Sequence, residues 1–227
     1  MHKYVKLGLV SLLVIILVGC GQFKTKPPLN DLNSKSRVSR TLLELFPQRR
    51  NTEWIYEGFA EYGHRMKLVR ISRIPNRIIH HIDGEVADLS GGESPRNFKF
   101  KVRYLFTGNT VSEQIIAADT PFPHTIKNLV LLKLPLKKGN KWQQIIVKDG
   151  KRSTLNAEII KVGWDNLVKQ NVLTVRYRVP MAGMPNGVYE EYRKFVKGKG
   201  VYSFEKTFGK NPSDIFGYQL REIKIGK

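Results

Sequence analysis

The residues best suited to catalysis or metal binding are two adjacent histidines and a nearby carboxylate, His80, His81 and Asp83. Successive side chains of a β-strand point to opposite faces, so His80 and His81 would diverge, whereas His81 and Asp83 would share a face. Two ligands are fewer than the three or four that a zinc site needs. His64 and His124 could add to the pair, but nothing in the sequence places them nearby. We therefore expect no metal and no cofactor, and interpret these histidines as surface or hairpin residues.

Other catalytic patterns give no stronger signal. The sequence contains no Gly-x-Ser-x-Gly elbow, phosphate-binding loop or His-Glu-x-x-His helix. Ser112 and Glu113 are interpreted as ordinary polar residues of a strand, and Glu190 and Glu191 should lie on opposite faces of another. No catalytic residue is assigned, and the chain is predicted not to be an enzyme.

A different chemistry is indicated at Cys20, the only cysteine of the chain. Basic residues at positions 2, 3 and 6 precede an uncharged apolar run over residues 7–19. The run is too short for a membrane-spanning helix of about 20 residues, but fits the apolar region of a signal peptide, about 7–15 residues. Residues 17–20, Leu-Val-Gly-Cys, resemble the bacterial lipobox. That resemblance implies diacylglycerol on the Cys20 thiol, cleavage before it and a fatty acyl chain such as palmitate on the new amine.

The domain organisation follows from this N-terminus. We predict a signal peptide over residues 1–19, a lipidated N-terminus and flexible stalk over residues 20–40, and one domain over residues 41–227. The protein should then be anchored by lipid at the extracytoplasmic face of the cell membrane; an uncleaved membrane anchor is the alternative. With no second cysteine, the domain has no disulfide and depends on its core for stability.

The period of the apolar residues after the stalk is two, which is typical of antiparallel strands with one buried face. Phe98, Phe100, Val102 and Tyr104 illustrate it, alternating with basic residues. Strands are predicted over residues 53–62, 65–74, 77–88, 98–104, 110–117, 142–148, 153–162, 175–179, 187–197, 200–208 and 217–225, with one short helix near 38–46. The predicted fold is all-β, a curved antiparallel sheet forming an open barrel or a sandwich.

An internal repeat is also indicated. Pro47 precedes Trp54 and Pro135 precedes Trp142 with the same spacing, and each pair leads into a predicted strand. Proline fixes the approach to a strand, and tryptophan supplies a large buried anchor. The pattern predicts two pseudo-equivalent halves.

These segments resemble a family of uncharacterised bacterial envelope lipoproteins. The resemblance rests on Phe46-Pro47 followed by Trp54, on residues 134–142 with Pro135, Gly139 and Trp142, and on a closing hairpin with Gly198 and Gly200. It implies a β-rich extracytoplasmic domain and brings no agreed activity.

Charge is the strongest remaining feature, with a formal net charge of +20. Such a field attracts anionic partners. The residues predicted to form positive rows on strand faces are Lys99, Lys101, Arg103, Arg176 and Arg178. The partner would be phospholipid head groups, an anionic envelope polymer or a protein, although a purely solubilising surface would have the same composition.

Three functions are therefore compatible with the sequence. The first is a non-catalytic binding module at the cell envelope. The second is a carrier or sensor of a small apolar ligand in a half-barrel cavity, which a large lined cavity would favour. The third is an enzyme with an unrecognised site, which convergence of the histidines and Asp83 would favour.

Overall fold

The computed structural model describes residues 38–58, 62–86, 98–119, 124–148, 150–209, 211 and 213–227. The predicted signal peptide, Cys20 and the stalk up to residue 37 lie outside the described residues. In the described part of the chain, no helix is long and apolar enough to cross a membrane.

The described residues form one short helix and twelve strands, which confirms the predicted all-β class. Their bounds are α1 Arg40–Leu43, β1 Glu53–Gly58, β2 Gly63–Ile74, β3 Arg77–Val86, β4 Phe98–Phe106, β5 Thr110–Ala118, β6 Asn128–Lys133, β7 Lys141–Lys148, β8 Lys151–Asp165, β9 Gln170–Pro180, β10 Val188–Val196, β11 Gly200–Thr207 and β12 Ile215–Lys224. Strand β6 was not predicted, because its apolar run from Leu129 to Leu132 has no alternation.

The strands form one antiparallel, nearly closed sheet in the order β6-β5-β4-β3-β2-β1-β12-β11-β10-β9-β8-β7. Strands β1–β6 form one meander and β7–β12 form another, and the two meanders join where β1 pairs with β12. Each begins with a buried tryptophan, Trp54 in β1 and Trp142 in β7. The topology thus has the two halves that the repeat predicts.

Strands β6 and β7 are the two edges of this sheet, and side chains of β7 connect them. The amide of Gln144 mimics a backbone peptide: its Oε1 accepts from the Val130 N–H at 2.8 Å, and its Nε2 donates to the Asn128 carbonyl at 2.7 Å. The Trp142 indole N–H donates to the Val130 carbonyl at 3.3 Å. These bonds satisfy backbone groups of β6 that a further strand would otherwise pair.

The N-terminal segment closes one end of the interior. Ser39 caps α1 through its hydroxyl and donates its backbone N–H to the Thr107 carbonyl, in the β4–β5 connection. Phe46 then packs between the halves, with its ring centroid 5.1 Å from that of Tyr104 and 6.2 Å from that of Phe195. The barrel end that receives this segment is called the N-terminal end below.

The predicted motif residues serve this closure. Gly200 has φ +78° and faces Phe46 so closely that a Cβ would lie 2.9 Å from the ring, and Trp54 donates its indole N–H to the Lys199 carbonyl at 2.7 Å. The others that the structure places at this end are Pro47, which is buried, Pro135, which follows a cis peptide bond, and Gly139 and Gly198, which have positive φ.

The β6–β7 seam provides a test of the edge hydrogen bonds. Gln144→Ala leaves the Val130 N–H and the Asn128 carbonyl without their partner, so we expect a loss of about 1–2 kcal/mol in the free energy of unfolding, measured by urea denaturation. Gln143→Ala is the matched control, since its amide reaches only the exposed side chain of Asn156. Equal effects of the two substitutions would show that Gln144 does not hold the seam.

Candidate functional site

The residues considered for a metal or acid–base site fall into two separate groups. His81 and Asp83 lie on the outer face of β3, as predicted from their spacing, whereas His64 and His124 are buried inside the barrel. The two interior rings both pack on Tyr218, at centroid distances of 4.7 and 6.1 Å. Among the described residues, no three His, Cys, Asp or Glu side chains are grouped so that they could hold a metal ion.

The prediction that the histidines are surface or hairpin residues is wrong for the interior ones. His64, His80 and His124 are buried, and the ring of His80 lies 4.6 Å from that of Phe106. Strand alternation places His80 inward because His81 points outward. Burial lowers the pKa of His80 to about 4 and that of His64 well below its usual value, so both rings are neutral at neutral pH.

A fully buried ion cluster crosses the barrel interior beside these histidines. Arg193 of β10 contacts Glu113 of β5 through Nη1 at 3.0 Å and Glu191 through Nε at 2.5 Å. The Tyr189 hydroxyl donates to the second oxygen of Glu191 at 2.6 Å. Because β5 belongs to the first half and β10 to the second, this cluster connects the halves through their interior.

The prediction that Glu113 is an ordinary polar strand residue is therefore wrong, because Glu113 belongs to this buried ion cluster. Burial by itself would raise the pKa of Glu113, but the charges and hydrogen bonds of Arg193 and His124 together outweigh that effect, and the pKa is about 2. Glu113 is thus ionised at neutral pH and matches the permanent charge of Arg193. Glu190 and Glu191 do lie on opposite faces, as predicted, with only Glu191 inside.

Glu113, His124 and Tyr218 form a carboxylate–imidazole–phenol array. His124 Nδ1 lies 2.9 Å from Glu113 Oε1, and its Nε2 lies 2.6 Å from the Tyr218 hydroxyl. Proton relays use such an array. Here burial lowers the pKa of His124 and raises that of Tyr218 well above its usual value, so the phenol keeps its proton. The array therefore favours a fixed hydrogen-bonded structure over an activated nucleophile.

Large side chains occupy the rest of the described interior. The Tyr56 hydroxyl donates to the Val201 carbonyl at 2.9 Å, and the Tyr177 hydroxyl donates to the Leu131 carbonyl at 2.6 Å. Phe204 stacks on Tyr218 with a centroid distance of 4.9 Å. The two hydrogen bonds join strands that do not pair with each other, and the stack joins paired residues of β11 and β12. Such contacts are typical of a packed core.

The positive row predicted on β4 lies on the outer wall. Lys99, Lys101 and Arg103 are exposed, but the register places Lys99 opposite Glu85 and Lys101 opposite Asp83. Cross-strand pairs of opposite charge reduce the positive field of such a row. These lysines therefore belong to a wall of mixed charge.

The predicted row on β9 is neutralised more directly. Arg176 contacts Glu158 at 2.9 Å, and Arg178 contacts Glu190 at 2.8 Å. Because each guanidinium has a carboxylate partner on a neighbouring strand, the row contributes little net positive charge. A role for Arg176 and Arg178 in binding an anionic partner stays a prediction.

A larger group of basic residues lies at the N-terminal end. We define the basic cluster as the cationic side chains in or next to the connections at this end: Arg49, Arg50, Arg73, Arg77, Lys133, Lys137, Lys138, Lys169, Lys197 and Lys199. All are exposed except Lys199, which is half-buried. Nearby carboxylates include Glu44, Glu53 and Asp165. Glu44 pairs with Lys197 of the cluster and with Arg40, whereas Glu53 and Asp165 pair with lysines outside the cluster. The cluster therefore has a large positive excess.

The sequence contained these residues, but only the topology shows that they belong together. The antiparallel meander places the β2–β3, β4–β5, β6–β7, β8–β9 and β10–β11 connections at one end. Lys137 and Lys199 thus share that end although they are far apart in the chain. A sequence signal was present, since the connections predicted near Lys137–Lys138 and Gly198–Gly200 are lysine-rich.

Comparisons with known proteins add a likeness of fold. No protein-family model matches the chain, and no curated protein is significantly similar to it in sequence. A crystal structure of a predicted lipoprotein from Parabacteroides distasonis ATCC 8503 aligns with a TM-score of 0.48 and 13% identity, over 79% of this chain and 98% of that chain. A predicted exported protein with a YmcC-like fold from Bacteroides fragilis NCTC 9343 aligns with a TM-score of 0.47 and 11% identity, over the same shares.

The buried His80 predicts a pH dependence of stability. Its pKa is about 4 in the folded protein and 6.5 in the unfolded chain, so protonation favours unfolding as the pH falls from 6.5 towards 4. At about 1.4 kcal/mol per pKa unit, this one residue removes about 3 kcal/mol of stability across that interval. Urea denaturation at a series of pH values should show a smaller loss for His80→Phe. His81→Phe, on the outer wall, is the control; the same pH dependence in all three proteins would contradict the assignment.

Proposed function

We propose that this protein is a bacterial lipoprotein, anchored through Cys20 at the extracytoplasmic face of the cell membrane, whose domain is a non-catalytic module that binds anionic phospholipid head groups. The observation that carries the binding proposal is the position of the basic cluster at the N-terminal end. The chain from the anchor arrives at this same end, where Ser39 bonds to Thr107.

The anchor would keep this end close to lipid. Seventeen residues separate Cys20 from Val38, and an extended chain of that length reaches at most about 60 Å. Tethering on this scale raises the effective concentration of the domain at the membrane surface. A weak electrostatic contact then suffices to orient it.

Electrostatics supports an anionic surface as the partner. A basic residue close to anionic lipid contributes about 1 kcal/mol at physiological salt. The basic cluster offers several such residues on connections held by the sheet, so few degrees of freedom are lost on binding. Because these side chains are exposed, the interaction should weaken as salt screens their charge.

The interior supports a binding module over the two alternatives. A carrier needs an apolar chamber, whereas Phe46, Tyr56, Tyr177 and Arg193 occupy the described interior. An acid–base enzyme needs a group poised to release a proton, whereas burial holds Tyr218 in its protonated form. The packed, hydrogen-bonded core is suited to presenting a surface of fixed shape.

Hydrogen exchange of the mature, lipidated protein tests the proposed contact. The protein is placed in nanodiscs made of zwitterionic lipid alone or with a share of anionic phosphatidylglycerol. Amides of residues 134–140 and 197–199 should exchange more slowly in the anionic discs, and high salt should remove the difference. Residues 181–187, at the opposite end, should exchange equally in both.

Charge-neutralised variants sharpen this test. Replacing Lys137, Lys138 and Lys199 with glutamine should abolish the difference, whereas replacing Lys127, Lys151 and Arg152 with glutamine at the opposite end removes the same charge and should preserve it. Equal exchange in both kinds of disc would overturn the proposal. Protection by a soluble anionic wall polymer but not by anionic lipid would also overturn it, in favour of a polymer partner.

A further inference from the structure

The β8–β9 hairpin projects beyond its neighbours at the N-terminal end. Strand β8 pairs with β7 only as far as Glu158, and β9 pairs with β10 only from Val172 onward. The pairs Trp164–Asn171 and Asp165–Gln170 continue past both limits. The end of this hairpin is therefore a two-stranded extension from the sheet.

Apolar side chains on this extension and directly before it are unusually exposed. Val162 is 49% exposed, Trp164 is 59% exposed and Leu167, at the tip, is 90% exposed. Lys161 and Lys169 flank them and are also exposed, with the Lys161 amine 3.1 Å from Asp165 Oδ2. An exposed apolar group bordered by charged residues is typical of a surface that contacts a partner or a membrane.

The tip is held in shape by Asp165. Its Oδ1 accepts the backbone N–H groups of Leu167 at 3.0 Å and Val168 at 3.2 Å, and its backbone carbonyl accepts the N–H of Lys169 at 2.7 Å. Its Oδ2 lies 3.3 Å from Lys194 Nζ on β10. The exposed side chains are thus presented by an ordered turn that is tied to the sheet.

We propose that the tip formed by Val162, Trp164 and Leu167 inserts into the interfacial region of the anionic bilayer to which the basic cluster binds. This inference rests on the proposed function and adds an apolar contact to it. Tryptophan suits the boundary between head groups and acyl chains, and the flanking Lys169 can extend its amine to the phosphates. Charge and apolar surface then contact the same membrane.

Position, rather than exposure alone, selects this hairpin. Ile145 and Val147 of β7 are also exposed, at 53% and 67%, but they lie towards the opposite end of the barrel. The β8–β9 tip shares the N-terminal end with the basic cluster and with the incoming chain. Ile74 and Ile225 are also exposed at this end, at 48% and 50%, but the tip presents three exposed apolar side chains, one of them a tryptophan. Val147 therefore provides a matched control for Leu167.

Tryptophan fluorescence tests the insertion directly. The chain has three tryptophans, of which Trp54 is 1% exposed and Trp142 is 5% exposed, so quenching by lipid should report on Trp164. The lipidated protein is reconstituted into anionic vesicles whose acyl chains are brominated or unbrominated. We expect a loss of emission in brominated vesicles and a blue shift relative to zwitterionic vesicles, and both should disappear in Trp164→Phe.

Substitutions at the tip separate insertion from electrostatic binding. Leu167→Asp should reduce the quenching of Trp164, while Val147→Asp should leave it unchanged. If the anionic-disc protection at residues 134–140 and 197–199 occurs without quenching of Trp164, the inserted tip is wrong and the proposed function stands. If that protection is also missing, the proposed function fails, and the inserted tip fails with it.

Discussion

The arrangement of this barrel depends on Arg193, a permanently charged side chain with no exposed surface. A buried guanidinium is tolerated only when carboxylates and hydrogen bonds replace its water. Glu113 and Glu191 provide this at Nη1 and Nε, with Glu113 supplied by the other half of the sheet, while Nη2 has no hydrogen-bond partner among the described residues. The ionic contact therefore fixes β5 against β10, and Phe46 makes the corresponding apolar contact at the N-terminal end.

A fixed relation between the halves determines what the N-terminal end presents. The β6–β7 connection with Lys137 ends the first half and opens the second, while the β8–β9 and β10–β11 connections belong wholly to the second half. The positively charged side chains of these connections form one surface only because the two halves of the sheet are held in a fixed position relative to each other. In the proposed function, a rigid interior thus supports a membrane-facing surface, and the apolar tip at Leu167 extends from that surface into the bilayer.

Sequence periodicity predicted most of this fold, since alternation around Phe100 and Val175 identifies strands with one buried face. It missed β6, whose residues 129–132 are uniformly apolar, and it missed the ion cluster. The inward series of β10 contains Glu191 and Arg193 between Tyr189 and Phe195, a pattern that a half-exposed strand would also show. The partner, Glu113, lies 80 residues away, so only the folded register identifies the pair. The predicted rows of basic residues do lie on the outer faces of their strands. The carboxylates that contact Arg176 and Arg178 could not be predicted, because they also depend on strand pairing.

A double-mutant cycle between Glu113 and Arg193 tests the central claim most directly. The free energy of unfolding is measured for the wild type, Glu113→Gln, Arg193→Met and the double variant, with Glu158→Gln and Arg176→Met as the outer-wall cycle. We predict that Arg193→Met alone lowers stability by about 3–5 kcal/mol, and that the interior pair couples by about 1–3 kcal/mol. Additive effects in the interior cycle, no larger than those of the exposed pair, would contradict a barrel held together through Arg193.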